Sequence, residues 1–522
     1  MRTIAASVFA IVALLSVVAV RAAENATNPI LWTDAPDVAV VKVGDEYFMS
    51  STTMHMTPGV PIMKSTNLVD WNLVGYCYAT LDAGDQLALR NGRNAYGAGS
   101  WASSLRYRDG VFYLSTFSGT TGKTYIFSTR DPSGPWDVKS FRPMCHDCSL
   151  FFEDDGTPYL VYGGGDIRIT ELNRDLSGFK EGGVNQVLVP NASRAAGGRT
   201  GLQAEGSQFF KRNGKYYLCN ITWPQGDMRT EIVHRSDSLL GPYEGRVFLK
   251  DRGIAQGTIF EGPSEKWYAM LFQDAGAVGR MPYLIPVDWV DDWPVPAGDG
   301  KAPTTLPIER TGRPLGNIVE SSEFDGSELP LAFQWNHNPV DSDFSFETRP
   351  GWLRLTTSRV DETLTQTRNT LTQRTFGPTC RCETALDASG LKDGDVAGLC
   401  LLQRKYGYVA VVKRDGRLYL CQLEASLDDP RPRVDSIKEN ELIPLPEDAS
   451  VFFLRAECDF HNRRDVGKFS WSVDGREWRE IGAELKMIYT LPHFMGYRFG
   501  LFYQSTKESG GWADFDFFHV SE

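Results

Sequence analysis

Positive charge is scarce in this chain. Its 522 residues carry 54 Lys and Arg against 66 Asp and Glu, a formal net charge of −12. That balance argues against a nucleic-acid groove or an anionic membrane surface as partner. A nucleotide fingerprint is also missing: Gly163-Gly164-Gly165 follows Val161-Tyr162, but neither a Lys-Ser/Thr pair nor a helical pattern comes after it. No membrane span is evident. The apolar run from Ala5 to Val20, with Arg2 before it and Val20-Arg21-Ala22-Ala23 after it, falls short of the roughly 20 residues a span needs. It reads as a signal peptide over residues 1–23, cleaved near Ala22 or Ala23, which places the mature protein outside the cytoplasm, secreted or periplasmic, with no membrane contact after cleavage. Nine cysteines, an odd number, cannot all pair within one chain. Cys145-His146-Asp147-Cys148 has the spacing of half a zinc site, yet no second Cys/His pair lies at a usual distance, so these thiols read as buried or locally bridged, with no metal. Cys380 and Cys382 would share one face of a strand.

What the chain does have is a repeated strand unit. Asp37 to Ser51, Trp101 to Ser118, Asp147 to Gly163, Glu205 to Trp223 and Gln256 to Gln273 each hold two short apolar runs around a turn. The turns are Gly44-Asp45, Asp109-Gly110, Asp155-Gly156, Asn213-Gly214 and Pro263-Ser264. Asp-Gly and Asn-Gly are strong hairpin signals because both turn positions tolerate positive φ. The second strands repeat an aromatic at Tyr47, Phe112-Tyr113, Tyr159, Tyr216-Tyr217 and Trp267-Tyr268. Units of this length match four-stranded propeller blades, and five are present.

A Pro- and Gly-rich break, Pro294 to Pro303, comes next. Beyond about Asn317, short alternating strands such as Trp352-Leu353-Arg354-Leu355-Thr356 and Tyr408-Val409-Ala410-Val411-Val412 return, without a long 3.6-residue period. The expected architecture is all-β: a five-bladed β-propeller over 24–296, a linker over 297–316 and an antiparallel β-sandwich over 317–522.

Three acids stand at equivalent places in the repeat. Asp37, Asp147 and Glu205 each open a unit just before its first strand. Carboxylates brought to one end of a radial fold converge on its axis, where one can act as general base and another as general acid on a glycosidic bond. A turn-capping role is the alternative for each taken singly. The 13 Trp and 20 Tyr supply flat rings for sugar faces, although most are expected in packing.

At this point Asn28-Pro29-Ile30-Leu31-Trp32, Ala35-Pro36-Asp37, Ser51-Thr52-Thr53-Met54-His55-Met56, Gly99-Ser100-Trp101-Ala102, Ala204-Glu205-Gly206 and Trp267-Tyr268-Ala269-Met270-Leu271-Phe272-Gln273-Asp274 resemble glycoside hydrolase family 43. Gln334-Trp335-Asn336-His337-Asn338-Pro339, Gln373-Arg374-Thr375-Phe376-Gly377-Pro378 and Ala513-Asp514-Phe515-Asp516-Phe517-Phe518 resemble the β-sandwich of its β-xylosidase and α-L-arabinofuranosidase members. The resemblance implies Asp37 as general base, Glu205 as general acid and Asp147 as the acid that raises the pKa of Glu205 and orients it. It implies an inverting mechanism, for which Asp37 and Glu205 would stand about 6.5 to 9.5 Å apart. Trp101, Arg280, His55, Phe117 and Gln256 are the implied sugar contacts, with Trp101 in the pocket wall and His55 at the entrance; a blade-core role for Trp101, a surface place for Arg280 and a structural place in its strand for His55 are the alternatives. No cofactor is required. Many relatives hold a central calcium ion through a blade-five histidine, but no histidine occurs between His234 and His337, and Leu271 stands where relatives have one. Val38, Cys148 and Ser103 stand where relatives carry Pro.

The substrate so implied is a terminal pentose, β-xylose or α-L-arabinofuranose, on a plant cell-wall polysaccharide or oligosaccharide. Galactan is an alternative within the family. A carbohydrate-binding protein without turnover, and a retaining fructan hydrolase on the related five-bladed fold, are alternatives outside it.

Overall fold

The computed structural model describes residues 24–81, 84–427, 434–490 and 493–522. The expected signal peptide lies outside the described residues. The first half folds as five four-stranded antiparallel sheets, each built in chain order from the inside outwards. The innermost strands are Ala39–Val43, Ser104–Arg108, Ser149–Phe152, Thr200–Arg212 and Ala255–Glu261. This is a five-bladed propeller.

The hairpins inside the blades form because their turn residues accept left-handed backbone. Asp109 and Gly110 have φ of 51° and 78°, and Asn213 and Gly214 have 49° and 75°. Two successive positive φ values define the turn whose twist matches that of paired strands. The fifth turn differs. Pro263–Glu265 forms one 3-10 turn, with Ser264 at φ 52°. Between blades, the strands bury aliphatic side chains against aromatics, as where Val60, Ile62, Phe48, Leu105 and Phe112 meet between blades one and two.

Residues 297–316, expected as a linker, contain a strand. Thr305–Arg310 pairs antiparallel with Glu24–Thr27, so both ends of the propeller are tied together in a two-stranded sheet.

The second half packs two antiparallel sheets face to face. In Val451–Asp459 buried and half-buried residues alternate along the whole strand, the period-two pattern of a sheet with one face in the core. Leu399, Leu401, Val409, Val411, Leu454, Ala456, Phe469, Phe499 and Leu501 fill the space between the sheets. Cys380 and Cys382 are both buried there as free thiols, on one face of their strand as expected.

One of these sheets does not end within its own domain. Its eight strands finish with Gln334–Asn336 beside Met56–Thr57, a dipeptide that belongs to the propeller half. Further joints reinforce this one: Thr33 bridges Phe376, Gly377 N–H donates to the Trp32 carbonyl at 2.8 Å, and the buried Arg374 Nε donates to the Asp34 carbonyl at 2.9 Å. The sandwich is thereby bonded to the blade-one end of the propeller, beside the mouth of the axis.

Candidate active site

The three acids meet at the end of the innermost strands. Asp37 and Asp147 each sit two residues before a strand, with φ of 53° and 48°. Gly206, next to Glu205, has φ 69°, and Gln256 has 60°. Left-handed backbone is rare at non-glycine residues and costs about 1 kcal/mol or more each. Here it recurs in blades one, three, four and five, just before the inner strand at Asp37 and Asp147, and within the inner strand at Gln256 and at Gly206, where glycine accepts it without strain. Asp37, Asp147, Gly206 and Gln256 line one narrow void, together with Ser103 and Gln208.

Each acid has a distinct partner. Asp37, 6% exposed, accepts a hydrogen bond from Arg280 Nη1 at 3.0 Å. Burial raises its pKa to about 6 even with that cation beside it, and the neighbouring Asp34, Glu205 and Asp274 add to the rise. Asp147 Oδ2 accepts from the Gly206 N–H at 2.8 Å and so fixes the backbone that carries Glu205. Burial again raises the carboxyl, with the charge of His146 opposing. Glu205 is more open. Its Oε2 lies 3.1 Å from His146 Nε2, and the same nitrogen is 3.6 Å from Asp147 Oδ2. Burial works against a charge on His146, but Glu205 and Asp147 together lift its pKa above the usual imidazole range. One imidazole therefore lies beside both carboxylates, within proton-transfer distance of Glu205.

Arg280 is clamped on all sides. Its Nε donates to Asp274 Oδ1 at 3.2 Å and to Tyr489 Oη at 2.9 Å, and its guanidinium lies over the rings of Phe272 and Phe494. Burial opposes its charge, but Tyr489, Asp37 and Asp274 outweigh burial and hold the guanidinium protonated. Arg229 pairs with the other oxygen of Asp274. Tyr489 and Phe494 come from the sandwich half, so that domain supplies part of the site.

The other expected sugar contacts divide. Trp101 is half-buried and packs edge-on against Phe117, His146 and Phe494, which puts it at the site. Phe117 is 1% exposed, closed in behind Trp101 and His146. Gln256 lines the void beside Asp37 and Asp147. The placement of His55 is a correction. It is fully buried among His337, His493 and Tyr96 at the junction of the two domains, with no surface to offer an entrance. Its neighbours His337 and His493 come from the sandwich half, hundreds of residues away, so the local strand pattern could not show it enclosed.

Several site residues carried little or no signal in the sequence. His146 stood out only for its spacing from two cysteines. Tyr489 and Phe494 lie more than 200 residues from Arg280, and no local pattern links them to it.

The residues along the axis do not suit a resident calcium ion. Leu271 is buried in the apolar core between blades four and five. Deeper along the inner strands, Arg106 reaches across three blades: Nη1 donates to the Leu105 carbonyl at 2.8 Å, and Nη2 to Ser149 Oγ at 2.7 Å and the Phe209 carbonyl at 3.0 Å, with Gln208 Oε1 at 3.4 Å. A guanidinium already occupies the oxygens that a hard cation would use. The one set of metal-type donors that converges among the described residues is His146, Asp147 and Glu205, whose ligand atoms lie within 4.8 Å of one another. Their hydrogen bonding accounts for that closeness.

Residues 26–294 match the family model described as Glycosyl hydrolases family 43, and residues 321–521 match the Beta xylosidase C-terminal Concanavalin A-like domain. The chain belongs to glycosyl hydrolase family 43. It is similar to a solved structure described as a bifunctional GH43-CE from Bacteroides eggerthii, with 51% identity and a TM-score of 0.92 over 96% of this chain. The chain spans 64% of the length of that protein. A second family 43 structure, described as an engineered enzyme displaying both endo-xylanase and exo-arabinofuranosidase activity, shares 30% identity and a TM-score of 0.85, covering 95% of this chain and 99% of that one. The Beta-xylosidase of Formosa agariphila is 28% identical over 94% of this chain and 89% of its own length. The chain is thus a glycoside hydrolase of this family, a carbohydrate-active enzyme on a propeller and sandwich scaffold.

Proposed function

We propose that the chain is an exo-acting, inverting pentosidase, releasing terminal β-xylose or α-L-arabinofuranose from plant cell-wall oligosaccharides or polysaccharides. The observation that carries the reading is the asymmetry of the carboxylates. Asp37 is buried and held beside the Arg280 cation, whereas Glu205 is more open and in contact with His146. The first arrangement favours an anion that can take a proton from water, and the second leaves a carboxyl open to a departing oxygen with an imidazole behind it that can pass a proton on. In the proposed step Asp37 removes a proton from water as the water oxygen bonds to the anomeric carbon. The bond from that carbon to the glycosidic oxygen breaks, and Glu205 delivers its proton to the departing oxygen. Asp147 holds Glu205 in place through the Gly206 N–H.

The exo character is supported by the sandwich, whose Tyr489 and Phe494 pack against Arg280 and Trp101 beside the acids. The pentose preference is supported by the relatives, described as β-xylosidase and as having exo-arabinofuranosidase activity. Export is supported by the apolar N-terminal run. A binding protein without turnover is disfavoured by the departures themselves. Val38, Cys148 and Leu271 are all buried as packing residues and leave the acids in position.

The test is release of p-nitrophenol from the β-xylopyranoside and the α-L-arabinofuranoside by wild type, Glu205→Gln and Asp37→Asn, with the anomer of the first sugar product read by NMR. Turnover with inversion, abolished in both variants, is the expected result. Retention would refute the water-activating role of Asp37. A wild type inert on both but binding xylan or arabinan oligomers would return the protein to the binding reading.

A further inference from the structure

Blade four is built differently from the other blades. Its two inner strands, Thr200–Arg212 and Lys215–Pro224, run past the acid instead of ending beside it. Glu205 pairs with Ile221, and the ladder continues outwards through Leu202 with Trp223 and Thr200 with Pro224. Trp223 therefore stands two residues beyond the acid, about 7 Å further along the strand, and its side chain leaves on the same face as that of Ile221.

Trp223 is also the one exposed tryptophan of the chain's thirteen, with 39% of its surface open. Its polar edge is already satisfied, since Nε1 donates to the Asp227 carbonyl at 2.6 Å. What remains open is apolar ring. The ring is held by position, with the Arg229 guanidinium 5.4 Å from its centroid. Arg229 in turn pairs with Asp274, Asp274 with Arg280, and Arg280 with Asp37. One chain of ion pairs thus runs from Asp37 to Arg229, whose guanidinium lies beside the ring of Trp223 on the blade that carries Glu205.

We propose that Trp223, held by Arg229, is a stacking platform for the first sugar on the leaving-group side of the scissile bond. This rests on the acid role of Glu205 given above. The acid protonates the departing oxygen, so the departing sugar lies outwards from it, where the extended hairpin rises. A flat, rigid, amphipathic ring suits the apolar face of a neutral sugar, and the chemistry selects a glycosyl residue of a neutral backbone such as a pentosan over a charged one. Trp223 would then favour oligosaccharide substrates over those with a small leaving group.

The experiment compares wild type, Trp223→Ala and Trp223→Phe on two substrates: a pentose-terminated oligosaccharide, and the matching glycosyl fluoride, whose leaving atom fills no sugar subsite. Binding of a xylan oligosaccharide to Glu205→Gln, with and without Trp223→Ala, runs beside it by calorimetry. The expected result is an approximately tenfold fall in the oligosaccharide-to-fluoride ratio of kcat/KM for Trp223→Ala, carried mainly by KM and partly restored in Trp223→Phe. An unchanged ratio, whether both activities fall together or neither moves, overturns the proposal. If wild type turns over neither substrate, the functional reading fails by itself. Calorimetry then decides on the platform, with equal affinity in the two backgrounds overturning it.

Discussion

Replacing Arg280 with Met should move the pH profile of the enzyme in a direction set by geometry. Arg280 Nη1 lies 3.0 Å from Asp37, and both side chains are buried, 7% and 5% exposed. At that depth two opposite charges interact by about 4 kcal/mol with an effective dielectric constant near 20. One pKa unit corresponds to about 1.4 kcal/mol, so losing the cation removes up to about 3 units of support for the Asp37 anion. Burial already holds Asp37 at about 6 with Arg280 in place. The base acts only when deprotonated, so activity falls as pH drops through its pKa, and a raised pKa moves that loss to higher pH. In Arg280→Met the acid limb of kcat/KM on an aryl pentoside should therefore move upwards by about 2 to 3 units. Arg280→Lys keeps the charge without the fork and should move it much less. An acid limb unmoved in Arg280→Met, in a variant that still folds by circular dichroism, would refute the pairing of this cation with the base.

Tyr489→Phe removes one acceptor from Arg280 while leaving the charge in place. A fall in kcat of about fivefold is expected, with little movement of the acid limb, because a single hydrogen bond contributes about 1 kcal/mol. The buried histidines predict acid sensitivity of the fold. Burial holds His55 neutral, with His337, His493 and Arg498 adding to the effect, and it lowers His337 and His493 to about 3, with Arg404 and Arg498 helping at His493. Each is free to protonate near 6.5 in the unfolded chain, so the unfolded state binds more protons below that pH. Stability present above about 6.5 is then lost as pH falls towards 3, by about 1.4 kcal/mol per pH unit per histidine. Tm followed from pH 7 to 4 should drop steeply, and less steeply in His493→Gln. Arg106→Met leaves several buried oxygens without a donor and should cost about 3 kcal/mol in urea unfolding. Treatment with EDTA should leave kcat within about twofold, and a loss restored by calcium would overturn the fit of Arg106 to the axis.

The blades were legible because their signals are local. Asp109-Gly110 and Asn213-Gly214 bend the chain wherever they occur, and an apolar run on each side completes the hairpin. The acids were legible because they recur in register with those hairpins. His55 was not, since its neighbours His337 and His493 arrive from the other domain, and a strand pattern does not say which face a second domain will cover. The same holds for Tyr489 and Phe494. Residues 297–316 read as a linker because Pro and Gly dominate their start, yet Thr305–Arg310 finds a partner strand at the opposite end of the propeller. Strand pairing over such separations follows from closure of the ring, which no window of sequence contains.

Met56–Thr57 completes a sheet whose other seven strands lie beyond residue 333. During synthesis this dipeptide leaves the ribosome some 280 residues ahead of Gln334–Asn336, its neighbour in the finished sheet. Until that neighbour arrives, blade one carries an open edge and the sandwich has no place to dock. A gene fragment ending after the propeller would release that edge to solvent or to another chain, and a grafted sandwich would need to be trimmed to fit a borrowed strand. The border between the two halves falls inside a hydrogen-bonded sheet, so recombination between relatives is better placed elsewhere than at residue 316.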